Sequence, residues 1–363
     1  MWNSSVIENI RRLRGSGDYQ IDTRNSNRYR IVVNEENGHT SYCFSTPIYN
    51  SRNGKLVCSA NVQDKFQFTA EGSDCYIKRN NNAFCLENKY GSFEITLPEN
   101  IQINTGLTAN GIFFKVAASS IKLTVKVNSV IRDTREDINC LSFMREKFVP
   151  FSVISPLFGV DRDGNLVPVL YENVKKGGNC YEVELYVEQR VEFLAFEINL
   201  YESKLFQDTT VQSAHPNRNN AYGTISFLGK TEAFGEQWLY ARPDFSKLPE
   251  LRTNKKIEHV KLHIPLFSGC GEQVDVFCPK YRFCSFGSTW NKKIPNDEKI
   301  KHAVCGNDYL TIDLTDWFAN RSRNSLIYNE GMILKKHKSE NNYIAISTAD
   351  SYYAPQILEV YCK

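Results

Sequence analysis

The sequence predicts an all-β protein built from two docked β-sandwich domains, with a short helix at its N-terminus. Short runs of alternating apolar and polar residues recur along the chain between turn residues, as expected for half-buried strands. The 22 phenylalanines and 19 tyrosines far outnumber the 3 methionines, a balance that suits pleated sheets. The length of 363 residues exceeds what one hydrophobic core usually supports, so two domains are expected.

Charge and hydropathy disfavour two classes of partner. The 44 lysines and arginines nearly balance the 41 aspartates and glutamates, and a net charge of +3 offers no strong field for nucleic acid. No run approaches 18 consecutive apolar residues, so membrane insertion is not expected.

The first 17 residues do not have the order of a secretory leader and predict a short helix instead. Ser5 and Glu8 would form its capping box, and Gly15 would end it.

The first half predicts strands and hairpins. In the segment SIKLTVKVNSV, apolar residues alternate from Ile121 to Val127, which indicates one buried face and one solvated face. Turn clusters at 50–55 and 79–83 indicate hairpins. Asp163 and Gly164 stand between two apolar runs and predict a further hairpin with a two-residue turn. The surrounding spacing resembles the start of a calcium loop, but the strand-like residues that follow supply no middle ligands, so calcium is disfavoured.

The sequence predicts a domain boundary near residue 204. A strand at 191–201 is followed there by polar, turn-rich sequence, and no flexible linker is visible. The sequence therefore predicts a β-rich domain at 1–204, of unknown role, docked on a second domain at 205–363.

Alternating runs continue in the second half and predict a β-sandwich. The segment HVKLHI places Val260, Leu262 and Ile264 on one face and His263 outward, beside Lys261. A helical turn capped by Thr315 is expected next to the later strands. The chain closes on a further strand, PQILEVYC.

An ordered set of phrases in this half supports a family resemblance. They are DTTVQSAHPNRNNAYGT (208–224), LGKTEAFGEQWLYARPDFSKLP (228–249), the strand at 260–264, STWNKKIP (288–295), LTIDLTDWF (310–318), GMILK (331–335) and STADSYYAPQILEV (347–360). Together they resemble the DNRLRE-type module, which is similar to the disaggregatase-related repeat and to carbohydrate-binding module family 96. The resemblance covers residues 207–363. Pro243 and the pair Gln237-Trp238 depart from the pattern, so a ligand role resting on the family's arginine does not transfer.

The resemblance implies a jelly-roll sandwich of the kind found on bacterial and archaeal surface proteins and beside polysaccharide lyases. Within it, the phrase STWNKKIP is interpreted as architecture. Trp290 would fill the core, Ser288, Thr289 and Asn291 would bond turn backbone, and Pro295 would end the segment.

The sequence shows no pattern typical of a catalytic or metal site. The six histidines are scattered and lie outside the known catalytic motifs. The 11 cysteines include no CxxC pair, so structural zinc is not expected, and no cofactor is predicted. Buried free thiols are the expected state, including Cys284; the alternative is cross-linking through a thiol left over by the odd count. The chain is expected not to be an enzyme.

Aromatic and polar residues in two segments form the candidate carbohydrate site. Aromatic faces stack on sugar C–H surfaces, and amides and arginines bond the hydroxyls. The alternative is that Trp238 and Tyr240 belong to the core, with Arg242 at its rim, and that the second segment is only a turn. The candidate residues are Trp238, Tyr240, Arg242, Asn219, Asn220 and Tyr222.

These observations favour a non-catalytic protein of recognition or attachment at an extracellular, cell or particle surface. It would bind a polysaccharide or surface glycan through its second domain. The alternative is a structural subunit of a self-assembling particle, appendage or spore layer, in which the chain forms homo-oligomers and spare thiols cross-link neighbours.

Overall fold

The computed structural model describes residues 6–15, 19–22, 24–27, 29–48, 50–52, 55–57, 67–69, 76–108, 110–201, 204–252, 256–338 and 342–363. Strands make up 55% of the chain and helices 7%, which confirms the all-β class. The chain divides into two compact units, the central unit (49–202) and the terminal unit (1–48 with 203–363).

The terminal unit begins with the expected short helix, α1 (Val6–Arg14), followed by β1 (Gln20–Ile21), β2 (Arg30–Glu35) and β3 (Gly38–Phe44). Gly15 takes a φ of +75°, a left-handed conformation that ends a helix at little cost for glycine. The proposed cap Ser5 lies outside the described residues, and nothing is described of the Glu8 side chain.

The central unit contains sixteen described strands. They are β4 (Asn50–Arg52), β5 (Lys55–Val57), β6 (Gln67–Thr69), β7 (Tyr76–Asn80), β8 (Ala83–Asn88), β9 (Gly91–Thr96), β10 (Ile103–Leu107), β11 (Gly111–Val116), β12 (Ser120–Ser129), β13 (Asp133–Glu136), β14 (Leu141–Glu146), β15 (Val149–Val160), β16 (Leu166–Pro168), β17 (Leu170–Gly177), β18 (Cys180–Tyr186) and β19 (Phe193–Leu200). One sheet has the order β17-β18-β12-β9-β8-β7-β6, and the other has the order β10-β11-β19-β15-β14-β13, with β16 on β15.

These two sheets pack face to face around one apolar core. Strand β12 alternates exposed and buried residues along its length, as its sequence predicts, because one face meets the core. Aromatic rings from the two sheets meet edge to face: the Phe84 and Phe114 centroids lie 5.2 Å apart, and those of Phe93 and Phe143 5.1 Å apart. The central unit is therefore a β-sandwich.

Three hairpins of this unit follow the predicted turns. β4 pairs with β5 across the 50–55 cluster, and β7 pairs with β8 across the 79–83 cluster. β15 pairs with β16, but the turn is longer than the expected two residues. The amide of Asp161 donates to the Asn165 carbonyl, and Gly164 is left-handed at φ +83°, so three residues form the loop. The Asp161 carboxylate accepts from the amides of Asp163 and Asn165, which orders the turn.

The rest of the terminal unit contains ten strands and four short helices. The strands are β20 (Phe206–Gln212), β21 (Ile225–Thr231), β22 (Gly235–Pro243), β23 (Ile257–Ser268), β24 (Gln273–Pro279), β25 (Asn296–Val304), β26 (Tyr309–Asp313), β27 (Met332–Lys336), β28 (Tyr343–Ser347) and β29 (Ile357–Cys362). The helices are α2 (Thr315–Ala319), α3 (Arg323–Ile327) and two 3-10 helices at Phe245–Lys247 and Pro249–Arg252.

Strand β23 links the two layers of this unit. Its first part pairs with β29 and β26, and its end pairs with β28. One layer has the order β1-β2-β3-β29-β23 with β26 beside β23, and the other continues as β28-β21-β22-β27-β24-β25 with β20 on β22. The inward residues of both layers share one core, including Val260, Leu262, Val274 and Leu334. This confirms a second sandwich; its finer description as a jelly roll stays a prediction.

The first 48 residues differ from the predicted division of the chain at 1–204 and 205–363. β3 pairs with the last strand, β29, over six residues from Ile357 to Cys362, and so extends the sheet of the terminal unit. The central unit ends at residue 202, close to the domain boundary predicted near residue 204. The partner of β3 lies more than 300 residues further along the chain, beyond the reach of any local pattern.

Two local predictions in this unit are wrong. Thr315 is the first residue of α2 and not its cap, because the Asp313 carboxylate accepts from the Thr315 amide and Thr315 Oγ1 accepts from the Val260 amide. His263 does not face solvent: its side chain is 6% exposed, because further groups cover that face of the sheet.

Nine cysteines are described, and none of these nine forms a disulfide bond. Cys43, Cys140, Cys278, Cys305 and Cys362 are buried, as expected. Burial raises the pKa of Cys43 and of Cys305 to about 12, so both stay protonated at neutral pH. Cys284 was expected to be buried but is exposed, as is Cys270.

No helix in the described parts of the chain is long and apolar enough to cross a bilayer.

Candidate functional site

Four neighbouring strands of the terminal unit carry a row of aromatic and charged side chains on one face. Trp238 lies on β22, Lys335 on β27, Asp275 on β24 and His302 on β25. Asp275 is paired in register with Lys335 on one side and with His302 on the other, and directly opposed residues project to the same face. We call this surface the basic aromatic face.

Two tryptophans and two lysines form one end of this face. The rings of Trp238 and Trp290 lie 5.1 Å apart and are tilted by 54°. The Lys335 ammonium lies 3.4 Å from the Trp238 ring centroid, and the Lys293 ammonium lies 4.0 Å from that of Trp290. Both indoles are half-buried. Burial lowers the pKa of Lys335, and the nearby Lys293 adds to this effect.

Trp290 reaches this position because the loop 280–295 folds over the outside of the sheet. The Asn219 amide donates to the carbonyls of Ser285 and Ser288, and the Tyr240 hydroxyl donates to the Ile294 carbonyl at 2.9 Å. These bonds hold the loop at both ends. Trp290 therefore lies on the outer surface against Trp238, whereas the sequence interpretation had it filling the core.

The six residues proposed for sugar binding lie at different depths. Trp238 and Asn219 are half-buried, and Asn219 is engaged in holding the loop. The other four are buried: Tyr240 is 0% exposed, Tyr222 1%, Asn220 2% and Arg242 7%. A ring buried on both faces cannot stack on a ligand, so of the aromatic residues proposed, Trp238 alone offers a surface in this structure.

Arg242 and Asn220 are held inside the unit. The Arg242 guanidinium donates to Gln207 Oε1 and lies over the Phe283 ring, 5.8 Å from its centroid. Burial lowers the pKa of this guanidinium, and Arg282 contributes in the same direction. Both side-chain polar atoms of Asn220 have no hydrogen-bond partner within the described structure.

The other end of the basic aromatic face holds a cluster of histidine, aspartate and lysine. Oxygens of the Asp275 carboxylate lie 2.5 Å from His302 Nδ1 and 3.0 Å from His337 Nδ1. The two imidazole centroids are 4.9 Å apart. The Lys299 ammonium lies 2.8 Å from Asp275 Oδ1 and 2.7 Å from His302 Nε2. Imidazole and carboxylate together are ligands that suit transition metals.

A polar cavity of about 460 Å³ lies elsewhere on the terminal unit, between the end of α1 and the sheet that carries β29. Arg14 forms a bidentate ion pair with Glu35 on one wall, and Glu359 and His259 line another. Burial raises the pKa of Tyr42, which also lines the cavity, to about 12, and the charge of Glu359 adds to the effect.

Glu359 also anchors a chain of hydrogen bonds next to this cavity. Its carboxylate receives His259 Nε2 at 3.1 Å and His263 Nε2 at 3.0 Å, and His263 Nδ1 lies 3.0 Å from Thr311 Oγ1. The order Thr311, His263, Glu359 is that of a nucleophile, a base and an acid. This arrangement explains why His263 is buried despite its outward position on the strand.

Comparison with known proteins adds no relative: no family model matches the chain, and no curated protein sequence matches it. The resemblance to the DNRLRE-type module therefore stays a prediction. The functional interpretation rests on the geometry of the terminal unit.

Proposed function

We propose that the chain is a non-catalytic recognition or attachment protein that binds a polysaccharide at an extracellular, cell or particle surface. The observation that supports this best is the Trp238–Trp290 pair with its lysines. Indole rings are the aromatic surfaces that stack on the C–H faces of sugar rings, and the ammonium groups beside them donate hydrogen bonds to hydroxyls and carboxylates.

The charge of this face narrows the class of glycan. Lys293 and Lys335 flank the indoles, and Lys299 lies 5.7 Å from the centroid of Phe277, on the same face. Because Asp275 already compensates the charge of Lys299, the cations that favour a ligand with carboxylate or sulfate groups are Lys293 and Lys335. The proposed ligand is therefore an acidic polysaccharide, with the sugar rings on the indoles and the anionic groups on the lysines.

The roles of the remaining candidate residues follow from their burial. Asn219 and Tyr240 bind the backbone of the loop 280–295 and so position Trp290. In this proposal they support the binding surface and do not touch the ligand.

A glycan array and titration calorimetry with the full chain test the proposal. Binding to uronate-containing or sulfated polysaccharides is expected in the sub-millimolar range and should weaken as salt is raised, because salt screens ion pairs formed at the protein surface. Trp238→Ala and Trp290→Ala should each lower the affinity at least about fivefold, since the comparable stacking of a base on an aromatic side chain is worth about 1–3 kcal/mol. Tyr281→Ala is the matched control, because Tyr281 is an aromatic residue of the same loop that does not belong to the apolar cluster containing Trp238 and Trp290.

Two outcomes would contradict the proposal. One is that the folded chain binds no acidic or neutral polysaccharide, and the other is that Trp238→Ala binds as well as the parent chain. Turnover of an ester or a polysaccharide that disappears in Thr311→Val would contradict the non-catalytic part, because this substitution removes the hydroxyl facing His263.

The second candidate is a structural subunit of a self-assembling particle, appendage or spore layer, and the exposed thiols of Cys270 and Cys284 favour it. In an oxidising compartment, these thiols would cross-link neighbouring copies. Size-exclusion chromatography under non-reducing conditions should then show growth that dithiothreitol reverses and that Cys270→Ser with Cys284→Ser abolishes. If size is independent of reductant, cross-linking through these thiols is excluded.

A further inference from the structure

We propose that Asp275, His302 and His337 form a binding site for a divalent transition-metal ion of the zinc, nickel or copper type. Each of the three side chains offers one ligand atom, and these atoms all lie within 4.8 Å of one another. The site is separate from the two indoles and does not depend on the glycan proposal.

The sheet register brings the three ligands together from distant parts of the sequence. Asp275 on β24 is paired with His302 on β25 and with Lys335 on β27. His337 follows β27 two residues after Lys335, and the residues of a strand project to the same face at every second position. All three side chains therefore converge above β24, on strands whose hydrogen bonds fix their spacing.

The distances fit an ion after a small opening of the cluster. Bonds of about 2.0–2.2 Å in a tetrahedral zinc site place ligand atoms roughly 3.3 Å apart. The separations between Asp275 oxygens and the histidine nitrogens are 2.5 and 3.0 Å. The side chains of His302 and His337 are 51% and 35% exposed, so the imidazoles have room to rotate outward by the roughly 0.8 and 0.3 Å that these separations require.

The chemistry of the ligands selects the class of metal. Two imidazoles and one carboxylate suit zinc, nickel and copper, whereas magnesium and calcium prefer sets of oxygen ligands. Three protein ligands at the surface leave at least one coordination position for water or for a group of a partner.

The Lys299 ammonium competes with a metal ion for the Asp275 carboxylate. Its ammonium contacts both Asp275 Oδ1 and His302 Nε2, so a cation already neutralises the cluster. The Lys299 side chain is 36% exposed and has room to swing into solvent when a divalent ion takes its place. Removing this ammonium should therefore increase the affinity for metal, since the ion no longer has to displace a cation.

Titration calorimetry of the full chain with Zn²⁺ and Ni²⁺ tests the proposal. We expect one site per chain, an affinity at least tenfold lower in His302→Ala and in His337→Ala, and an affinity several-fold higher in Lys299→Ala. His215→Ala is the matched control, because this histidine of the same unit packs against Phe234 and is not in the cluster. With Cu²⁺, electron paramagnetic resonance should show coupling to two imidazole nitrogens, and Mg²⁺ should not compete.

Three results would overturn the metal site. They are the absence of saturable binding below millimolar metal, unchanged affinity in both histidine variants, and a loss of affinity in Lys299→Ala. Circular dichroism establishes that each variant is folded. Trp238→Ala should keep its metal affinity, so failure of the glycan proposal and failure of the metal site are distinguishable.

Discussion

A buried cluster of two carboxylates and one lysine holds together three segments of the terminal unit. The Lys204 ammonium binds Asp208 at 3.2 Å and also binds Asp350, and the side chains of the three residues are 10%, 2% and 6% exposed. Asp208 additionally accepts from the Ala349 amide at 2.5 Å. Burial raises the pKa of Asp350 well above its usual range, and the neighbouring Asp208 raises it further.

Lys204→Met should cost the terminal unit about 3–5 kcal/mol of stability, because it leaves two buried carboxylates without a counter-ion while keeping the apolar stem. Asp350→Asn removes one of these charges. The double variant Lys204→Met with Asp350→Asn should therefore lose at least about 1 kcal/mol less than Lys204→Met alone, which is the coupling expected for residues in contact.

Tryptophan fluorescence during urea unfolding measures this effect in the correct unit. The described tryptophans, at positions 238, 290 and 317, belong to the terminal unit, and the sequence has no tryptophan within residues 49–202, so the central unit does not contribute. Lys301→Ala is the control, because Lys301 and Asp313 form a 3.8 Å pair with both side chains 44% exposed, and such pairs contribute about 0–1 kcal/mol. A loss within about 1 kcal/mol for Lys204→Met, or no relief in the double variant, would refute the reasoning.

Three further predictions concern pH, backbone strain and thiols. Burial raises the pKa of Glu359, but the hydrogen bond from His263 and the nearby cations outweigh burial and lower it in the folded state. The stabilisation by Glu359 should therefore be present above about pH 4.3 and be lost on acidification. Acid unfolding of Glu359→Gln should be less steep. Gly235→Ala should cost about 1–3 kcal/mol, measured in urea, because Gly235 has φ +65° and the new methyl would overlap a side-chain oxygen. A thiol reagent should label Cys270 and Cys284 in the folded chain and leave Cys43 unmodified until unfolding.

Much of the fold could be predicted because the relevant information is local. Alternation along β12 identified its buried face, and the same pattern identified Val260, Leu262 and Ile264 as core residues. The position of His263 shows the limit of this reasoning. Alternation correctly placed it on the opposite face from the core, but a one-sided pattern does not tell whether a second layer of side chains covers that face.

The parts of the candidate site that the sequence missed depend on pairing between distant strands. Asp275, His302 and His337 have no short spacing to reveal them, because the register of three strands brings them together. The sequence predicted a core position for Trp290, and its contact with Trp238 depends on the path of the loop across the sheet, which no local pattern indicates. A search for tryptophans and lysines at alternating strand positions would have found Trp238 but not its partner.

Asn219 and Tyr240 explain how the loop 280–295 is fixed on the outer surface of the sheet. Asn219 supplies its amide to two loop carbonyls, and Tyr240 supplies its hydroxyl to a third, so each compensates backbone groups that the loop itself cannot pair. The loop is thereby fixed against the outer surface of the sheet, and Trp290 is held beside Trp238 with little freedom to lose on binding. A binding surface ordered in advance avoids the entropy cost of arranging it around each ligand. Under the glycan proposal, Asn219 and Tyr240 therefore position Trp290 and do not contact the sugar themselves.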